Sequence, residues 1–346
     1  MFERRMIANR TQVYRITLFQ LLKFLYTNKP SKSEYSLIQM LSILKSIKFE
    51  LRSLHSVYGL NLLFSPEDSK NHAMNNFKKI NTVFGWITFL IAIAVYIMTL
   101  EQSVSLWDCG EFISASYRLQ VVHPPGAPLF LMLGRLFSIF ATPGTNEVAI
   151  AVNMLSAVFS AATVMFTFWI TTHFAKKILK VDLNANTVDL GNAISIFGSG
   201  LVAAMSVTFM DTFWFNAVEA EVYAGSSCFM ALAFWAILKW EKVKEDPTSD
   251  RWIVFIAYII GLGIGLHLLN ILVVPAVFLY YFINKFGVNR RNIIRASVIG
   301  IGSIALLQWV IIPKTPAIAA FFDKIFVNSF GLPFNSGVLF FLLLIA

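Results

Sequence analysis

Long apolar runs broken by short polar stretches organise this chain from residue 80 onward. The runs are Ile80–Leu100, Pro125–Ala141, Val148–Phe174, Asn192–Met210, Val222–Trp240, Trp252–Leu266, Leu268–Ile283 and Ile294–Ile312. At about 1.5 Å rise per helical residue, most of them match the roughly 30 Å hydrocarbon core of a bilayer. The pattern predicts an all-α, polytopic helical membrane protein. The first 73 residues are different. No run there reaches the roughly 18 apolar residues that a span needs. Tyr14–Tyr26 and Tyr35–Leu54 have the pattern of basic amphipathic helices that could lie on a membrane surface.

Composition narrows the picture. The chain is 346 residues long and only 14% charged, with 33 Phe; a soluble domain carries about 25% charge. That excludes a disordered chain and an ordinary soluble enzyme. The net charge of +9 is membrane topology rather than a nucleic-acid surface, because cytoplasmic loops collect Lys and Arg. Residues 1–73 hold eleven Lys or Arg against five Asp or Glu. Met74-Asn-Asn-Phe-Lys-Lys, just before the first strong run, has the form of an ordinary N-terminus. The segment 1–73 is therefore expected to be a basic extension ahead of a misassigned start, and 76–346 the membrane domain. The last run, Gly337–Ala346, is too short to span, so the chain is expected to be truncated at its C-terminus. Cys109 and Cys228 are too few for a disulfide framework or a zinc site.

Charge sets the orientation. Lys78 and Lys79 place the start of the first span in the cytoplasm. If Pro125–Ala141 crossed, the loops 175–191, 239–251 and 284–295, with eleven Lys and Arg among them, would all face outside. A re-entrant or interfacial helix at Pro125–Ala141 puts all eleven inside. Three segments then share the outer face: Glu101–His123, Asp211–Glu221 and the turn at His267–Asn270. They hold Glu101, Asp108, Glu111, Asp211, Glu219 and Glu221.

Carboxylates beside spans are costly and are functional candidates by default. In Trp107-Asp108-Cys109-Gly110-Glu111-Phe112, Asp108 and Glu111 are three apart and share a helix face. A solvated loop with a capping Asp, and an interfacial-belt role for Trp107, are the plainer alternatives. His123-Pro124-Pro125-Gly126-Ala127-Pro128 ends the loop and starts the next helix. His123 there is either a donor to phosphate or acid, or a structural cap. Glu219 and Glu221 are two apart, so on a continuous helix they diverge; helix N-terminal acids favoured by the dipole are the alternative. Gly261, Gly263 and Gly265 suggest close helix packing. His267 and Asn270 fit a buried core pair or a substrate contact equally.

The segments WDCGEFISASYRLQVVHPPGAPLFLMLGR, FWFNAVEAEVYAGSS and GLGIGLHLLN resemble a bacterial membrane family, classed as a domain of unknown function, that is similar to the protein O-mannosyltransferases. The likeness covers about residues 76–312. It implies a GT-C glycosyltransferase core in a bacterial inner membrane, N-terminus cytoplasmic and site on the outer face. The implied reaction is an inverting transfer of a sugar, mannose foremost, from a polyprenyl-phosphate donor to a Ser or Thr hydroxyl of an exported protein, or to a glycan. By that resemblance Asp108 is the catalytic base and Glu111 orients the acceptor or tunes Asp108. Glu219, Glu221 and Tyr223 hold the sugar, with Trp107 beside them. Arg118, His123 and Arg135 are the candidates for the departing phosphate, and His267 and Asn270 lie toward the donor. No cofactor is expected. A divalent metal between acids and phosphate is the less favoured variant. The rival class is a multi-pass secondary transporter, which shares broken helices and intramembrane acids but would place them near the midplane.

Overall fold

The computed structural model describes residues 70–181 and 190–345, with residues 70–76 described as helix alone. The extension 1–73, apart from the first turn of α1, lies outside the described residues. Within them the chain is helical throughout, without strands. Twelve α-helices run α1 Lys70–Met98, α2 Cys109–Arg118, α3 Pro128–Phe137, α4 Asn146–Ile178, α5 Leu190–Thr208, α6 Asp211–Val218, α7 Val222–Glu241, α8 Asp250–Ile264, α9 Val274–Phe286, α10 Arg290–Leu306, α11 Ile312–Phe330 and α12 Ser336–Ile345. Six candidate spans are long and apolar enough to cross a membrane: Phe77–Met98, Asn146–Ile178, Leu190–Thr208, Val222–Glu241, Leu268–Phe286 and Arg290–Phe330. The protein is an all-α polytopic membrane protein.

The 33-residue helix α4 is the central post. Fully buried Ala157 and Ala161 on α4 meet Ala92 on α1 and Ala204 on α5, around Tyr96 and Phe168. Small residues at these contacts let helix backbones approach closely, which replaces the hydrophobic drive that lipid cannot supply. The Tyr96 hydroxyl donates to the Thr208 carbonyl at 3.2 Å. It satisfies the end of α5 where that helix stops.

The ends of the helices sort into two faces. The Glu101 amide donates to the Val218 carbonyl, and the Trp214 indole to Thr99 Oγ1 at 3.0 Å. The ends of α1, α6 and the start of α7 are thus together. At the opposite face, Glu241 at the end of α7 meets His173 at 3.0 Å and Lys177 from α4. Its Oε2 also accepts from the Tyr280 hydroxyl of α9 at 2.7 Å.

Helix α3 has 10 residues, about 15 Å of length, half of what a span needs. It does not cross. It starts on Pro128, whose missing N–H is harmless in a first turn. It lies against α2, and Leu129 N–H donates to the Gly265 carbonyl at 2.9 Å. The contact with α2 is close enough to demand glycine. A Cβ at Gly134 would sit 2.8 Å from Ser116 Cβ and 2.5 Å from its hydroxyl. Gly134→Ala should therefore cost about 1–3 kcal/mol, as over-packing does, seen as a lower denaturation midpoint in detergent. The Gly134→Ala, Ser116→Gly pair should restore it; an unchanged midpoint in the single variant would show that Ser116 yields without cost.

Three segments depart from the sequence expectation. Asp211–Val218 is a helix rather than a loop. The run that ends at Ile312 continues as helix to Phe330. Pro313 and Pro316 imply a stop, but a π-turn at Leu307–Ile311 and a first-turn position for Pro313 let the chain continue. Ser336–Ile345 folds back on α11, with the Gly337 N–H donating to Asp323 Oδ1 at 3.0 Å. Of the three glycines expected to pack helices, Gly263 meets Asn270 and Gly265 meets Leu129, while Gly261 faces open space.

Candidate functional site

Asp108 is the N-cap residue of α2, yet its carboxylate makes no capping bond. The capping explanation for this residue therefore falls. Its carbonyl accepts the Phe112 N–H at 3.0 Å, and the side chain is left for the cleft. Glu111, one turn along, is committed elsewhere. One oxygen accepts the His123 backbone N–H at 2.7 Å and the other meets His123 Nδ1 at 2.7 Å. This clamp returns the loop after Leu119, whose left-handed conformation closes α2. His123 Nε2 lies 3.9 Å from Asp108 Oδ2. The hydrogen bonds from the His123 ring and amide hold Glu111 below its ordinary carboxylate range. The same bond raises His123, aided by the Glu111, Asp108 and Glu221 charges. The imidazolium form of His123 is thus favoured beside Asp108.

Glu219 and Glu221 do not sit on a continuous helix. Helix α6 ends at Val218, and both residues are extended, with φ of −134° and −125°. The Glu221 N–H donates to the Glu219 carbonyl at 2.8 Å, a tight turn over Ala220, so the i, i+2 alignment of a flat strand is broken and the two side chains find different partners. Glu219 bonds Ser105 Oγ in the first loop. Glu221 turns inward, is only 9% exposed, and accepts from Cys109 Sγ at 3.5 Å. Its backbone is fixed by Ser156 of α4, which donates to the Glu221 carbonyl and accepts its N–H. Burial raises the Glu221 carboxyl, and the Glu219 and Asp108 charges add to this against the Cys109 hydrogen bond. Burial and the same carboxylates push the Cys109 thiol up, so it is a donor and not a thiolate nucleophile.

The third segment supplies His267. Its Nδ1 accepts the Leu269 N–H at 3.1 Å, and burial lowers its pKa. The ring is the neutral tautomer with its proton on Nε2, and it packs on Tyr223 with centroids 5.0 Å apart. One cleft collects Asp108, His123, Glu221, Tyr223 and His267 over a floor of Phe112, Val122 and Val222. A carboxylate, an imidazolium, a carboxyl of raised pKa and a neutral imidazole donor thus share one small space. That set can take a proton from a hydroxyl, bind an anion and hold polar groups of a sugar. Asp108, Glu111 and His123 also offer three ligand atoms within 4.8 Å of one another, enough to hold a divalent ion.

Other candidates fall outside the cleft lining. Trp107 is 93% exposed with φ of 64°. Arg118 is exposed at the end of α2, and the Arg135 guanidinium lies 4.9 Å over the Tyr117 ring. Asn270 is fully buried and donates to Ser226 Oγ at 2.9 Å; it belongs to the core contact with Gly263. Sequence reasoning passed over Ser105, Asn153 and Ser156, and weighed Cys109 only for a disulfide or a zinc site. Asn153 donates to the Glu101 and Ser103 carbonyls and so pins the first loop to α4. Asn153 and Ser156 were findable, as polar residues three apart inside an apolar run whose partners must lie in the protein.

The family described as "Protein O-mannosyl-transferase TMEM260 N-terminal domain" matches residues 108–290. The match opens on Asp108 and takes in every residue of the cleft. The chain is similar to the Dictyostelium discoideum protein O-mannosyl-transferase tmem260, at 24% identity over 233 residues, which is 63% of this chain and 26% of the relative. It is similar to the mouse protein O-mannosyl-transferase TMEM260, at 28% identity over 182 residues, 53% of this chain and 22% of the relative. The matched region thus spans about a quarter of these relatives. No solved structure matches.

Proposed function

We propose that this chain, which belongs to the protein O-mannosyl-transferase TMEM260 N-terminal domain family, holds the transfer cleft of a membrane protein O-mannosyltransferase with a GT-C-type core. The donor is a polyprenyl-phosphate sugar, mannose foremost, and the acceptor a Ser or Thr hydroxyl of a protein. The observation that carries this reading is the meeting of Asp108, His123 and Glu221 in one cleft at one end of the helices.

Asp108 removes the acceptor proton as the hydroxyl oxygen attacks the anomeric carbon. The new C–O bond forms on the face opposite the breaking C–O bond, so the configuration inverts. The phosphate departs with the bonding electrons, and cationic His123 is the nearest positive charge to receive it. Glu111, engaged by two bonds to His123, acts by holding that charge rather than by touching the acceptor. Glu221, Tyr223 and the His267 Nε2–H hold sugar hydroxyls. The reaction runs without a metal in this reading. A chelator should leave the rate unchanged; loss restored by a divalent ion would assign the Asp108, Glu111 and His123 ligand atoms to a metal instead.

The cleft opens on the face opposite the helix ends that carry Lys176, Lys239, Lys242 and Lys285. The positive-inside bias therefore supports an outer-face site in a cytoplasmic membrane. A reporter fused after Lys180 should read cytoplasmic; an external signal would overturn this orientation. The direct test supplies membranes holding the full-length protein with radiolabelled polyprenyl-phosphate mannose. Label in the protein fraction supports the reading. Absence of label with mannose and with other polyprenyl-phosphate sugars, from folded protein, would move a transporter to the front, to be tested by uptake into vesicles.

A further inference from the structure

At the face opposite the cleft, three helices carry a tryptophan one or two turns in from a lysine. On α1 these are Trp86 and Lys78, on α4 Trp169 and Lys176, and on α7 Trp235 and Lys239. The indoles are in mutual contact. Trp86 meets Trp169 edge-on with centroids 6.5 Å apart, and Trp169 meets Trp235 at 5.9 Å. The Trp169 Nε1–H donates to the Asn81 carbonyl at 3.0 Å. Gly85 makes this seam possible, since a Cβ there would fall inside the Trp169 ring. Lys239 Nζ lies 4.7 Å over the Trp235 ring.

The lysines converge as the indoles do. The Lys177–Glu241 contact ties the end of α4 to the end of α7 and so brings their neighbours Lys176 and Lys242 to one junction; Lys239 lies one turn before Lys242, and Lys78 one turn before Asn81, which Trp169 of α4 holds. The acid near them, Glu241, is already held by Lys177, His173 and Tyr280. Among the described residues, Lys78, Lys176, Lys239 and Lys242 form no ion pair. A positive-inside bias or an aromatic belt would spread such residues around the perimeter. Here they are gathered on one seam of three helices. Four repelling ammonium groups above an apolar aromatic wall match an anionic phosphate whose apolar chains lie along the wall.

We propose that this seam binds the phosphate-bearing headgroup of an anionic membrane phospholipid. Lys78, Lys176, Lys239 and Lys242 receive the phosphate, and Trp86, partly exposed, packs on the acyl chains. The site is separate from the cleft and does not depend on the chemistry there.

The test uses the full chain in phosphatidylcholine bilayers doped with phosphatidylglycerol, with bromine on the acyl chains of one lipid at a time. Brominated phosphatidylglycerol should quench tryptophan emission at a bulk fraction at least about fivefold lower than brominated phosphatidylcholine, the order expected from each lysine at an anionic surface. Equal quenching by the two lipids overturns the proposal, and this comparison needs no variant. The Lys176→Gln, Lys239→Gln, Lys242→Gln variant should lose the preference; a preserved preference also overturns it. Inorganic phosphate at millimolar concentration should leave the lipid preference intact. If phosphate alone abolishes it, the seam takes a free anion and the lipid assignment falls.

Discussion

Asp108→Asn will lower sugar transfer by about 10²–10⁴-fold, the range that a positioned general base supplies, with the protein still inserted and folded. The structure makes this a test of chemistry. The Asp108 side chain caps no helix, and its charged partner is His123, with Nε2 at 3.9 Å. The amide keeps the shape of the carboxylate and loses its basicity. The helix α2 start relies on the Asp108 carbonyl, which accepts the Phe112 N–H and is unchanged by the substitution. The assay is label transfer from polyprenyl-phosphate mannose, with a denaturation midpoint beside it. Full activity would remove Asp108 as the base. The carboxyl of Glu221, buried in the same cleft, would then be the group to replace next.

The second large effect concerns Glu111 and His123, which act as one unit. His123→Gln should lower transfer by about 10-fold or more, as loss of a charge-assisted contact to a departing phosphate does. Glu111→Gln should follow it closely, because in the proposed reaction Glu111 acts through its two bonds to His123. The double variant should lie near the single ones instead of multiplying their losses. The pH dependence carries the sign. The His123 cation is fully present below its raised pKa and is lost as pH rises through it. Transfer by the wild type should fall as pH climbs above the ordinary histidine range. In Glu111→Gln the main cause of the upward shift is gone, so the falling limb should move to lower pH. Glu111 itself is held below its ordinary value, so the pair persists until the pH drops below that range. A limb unmoved by Glu111→Gln would detach His123 from the reaction.

The two acids that precede α7 show how far the sequence reading reached. Their two-residue spacing predicts that they point apart, and they do. The reason is different: the segment is not helical, and a tight turn over Ala220, closed by the Glu221 N–H on the Glu219 carbonyl, separates the two side chains. The spacing of Asp108 and Glu111 predicts a shared helix face, and both approach His123. That Glu111 is consumed by His123, twelve residues away, was not legible, because nothing local decides where the loop returns. Arg118 and Arg135 looked equivalent to His123 by distance along the chain. The fold sends Arg118 to the surface and Arg135 over Tyr117.

The sequence by itself determined the class of the protein, the position of most spans and the grouping of acids at one set of helix ends. These follow from run length against bilayer thickness and from the placement of Lys and Arg, which are one-dimensional quantities. It also pointed to a Pro125–Ala141 segment that does not cross, because the charge of three later loops depended on it, and the helix found there, Pro128–Phe137, is 10 residues long. The tertiary structure alone decided which acid enters the cleft. Glu221 enters because Ser156, 65 residues earlier, holds its backbone and Cys109, 112 residues earlier, meets its carboxyl. Glu219 is drawn off by Ser105. Such assignments depend on how α2, α4 and α7 pack, and packing is set by shape and hydrogen-bond satisfaction across helices, which residue spacing does not encode.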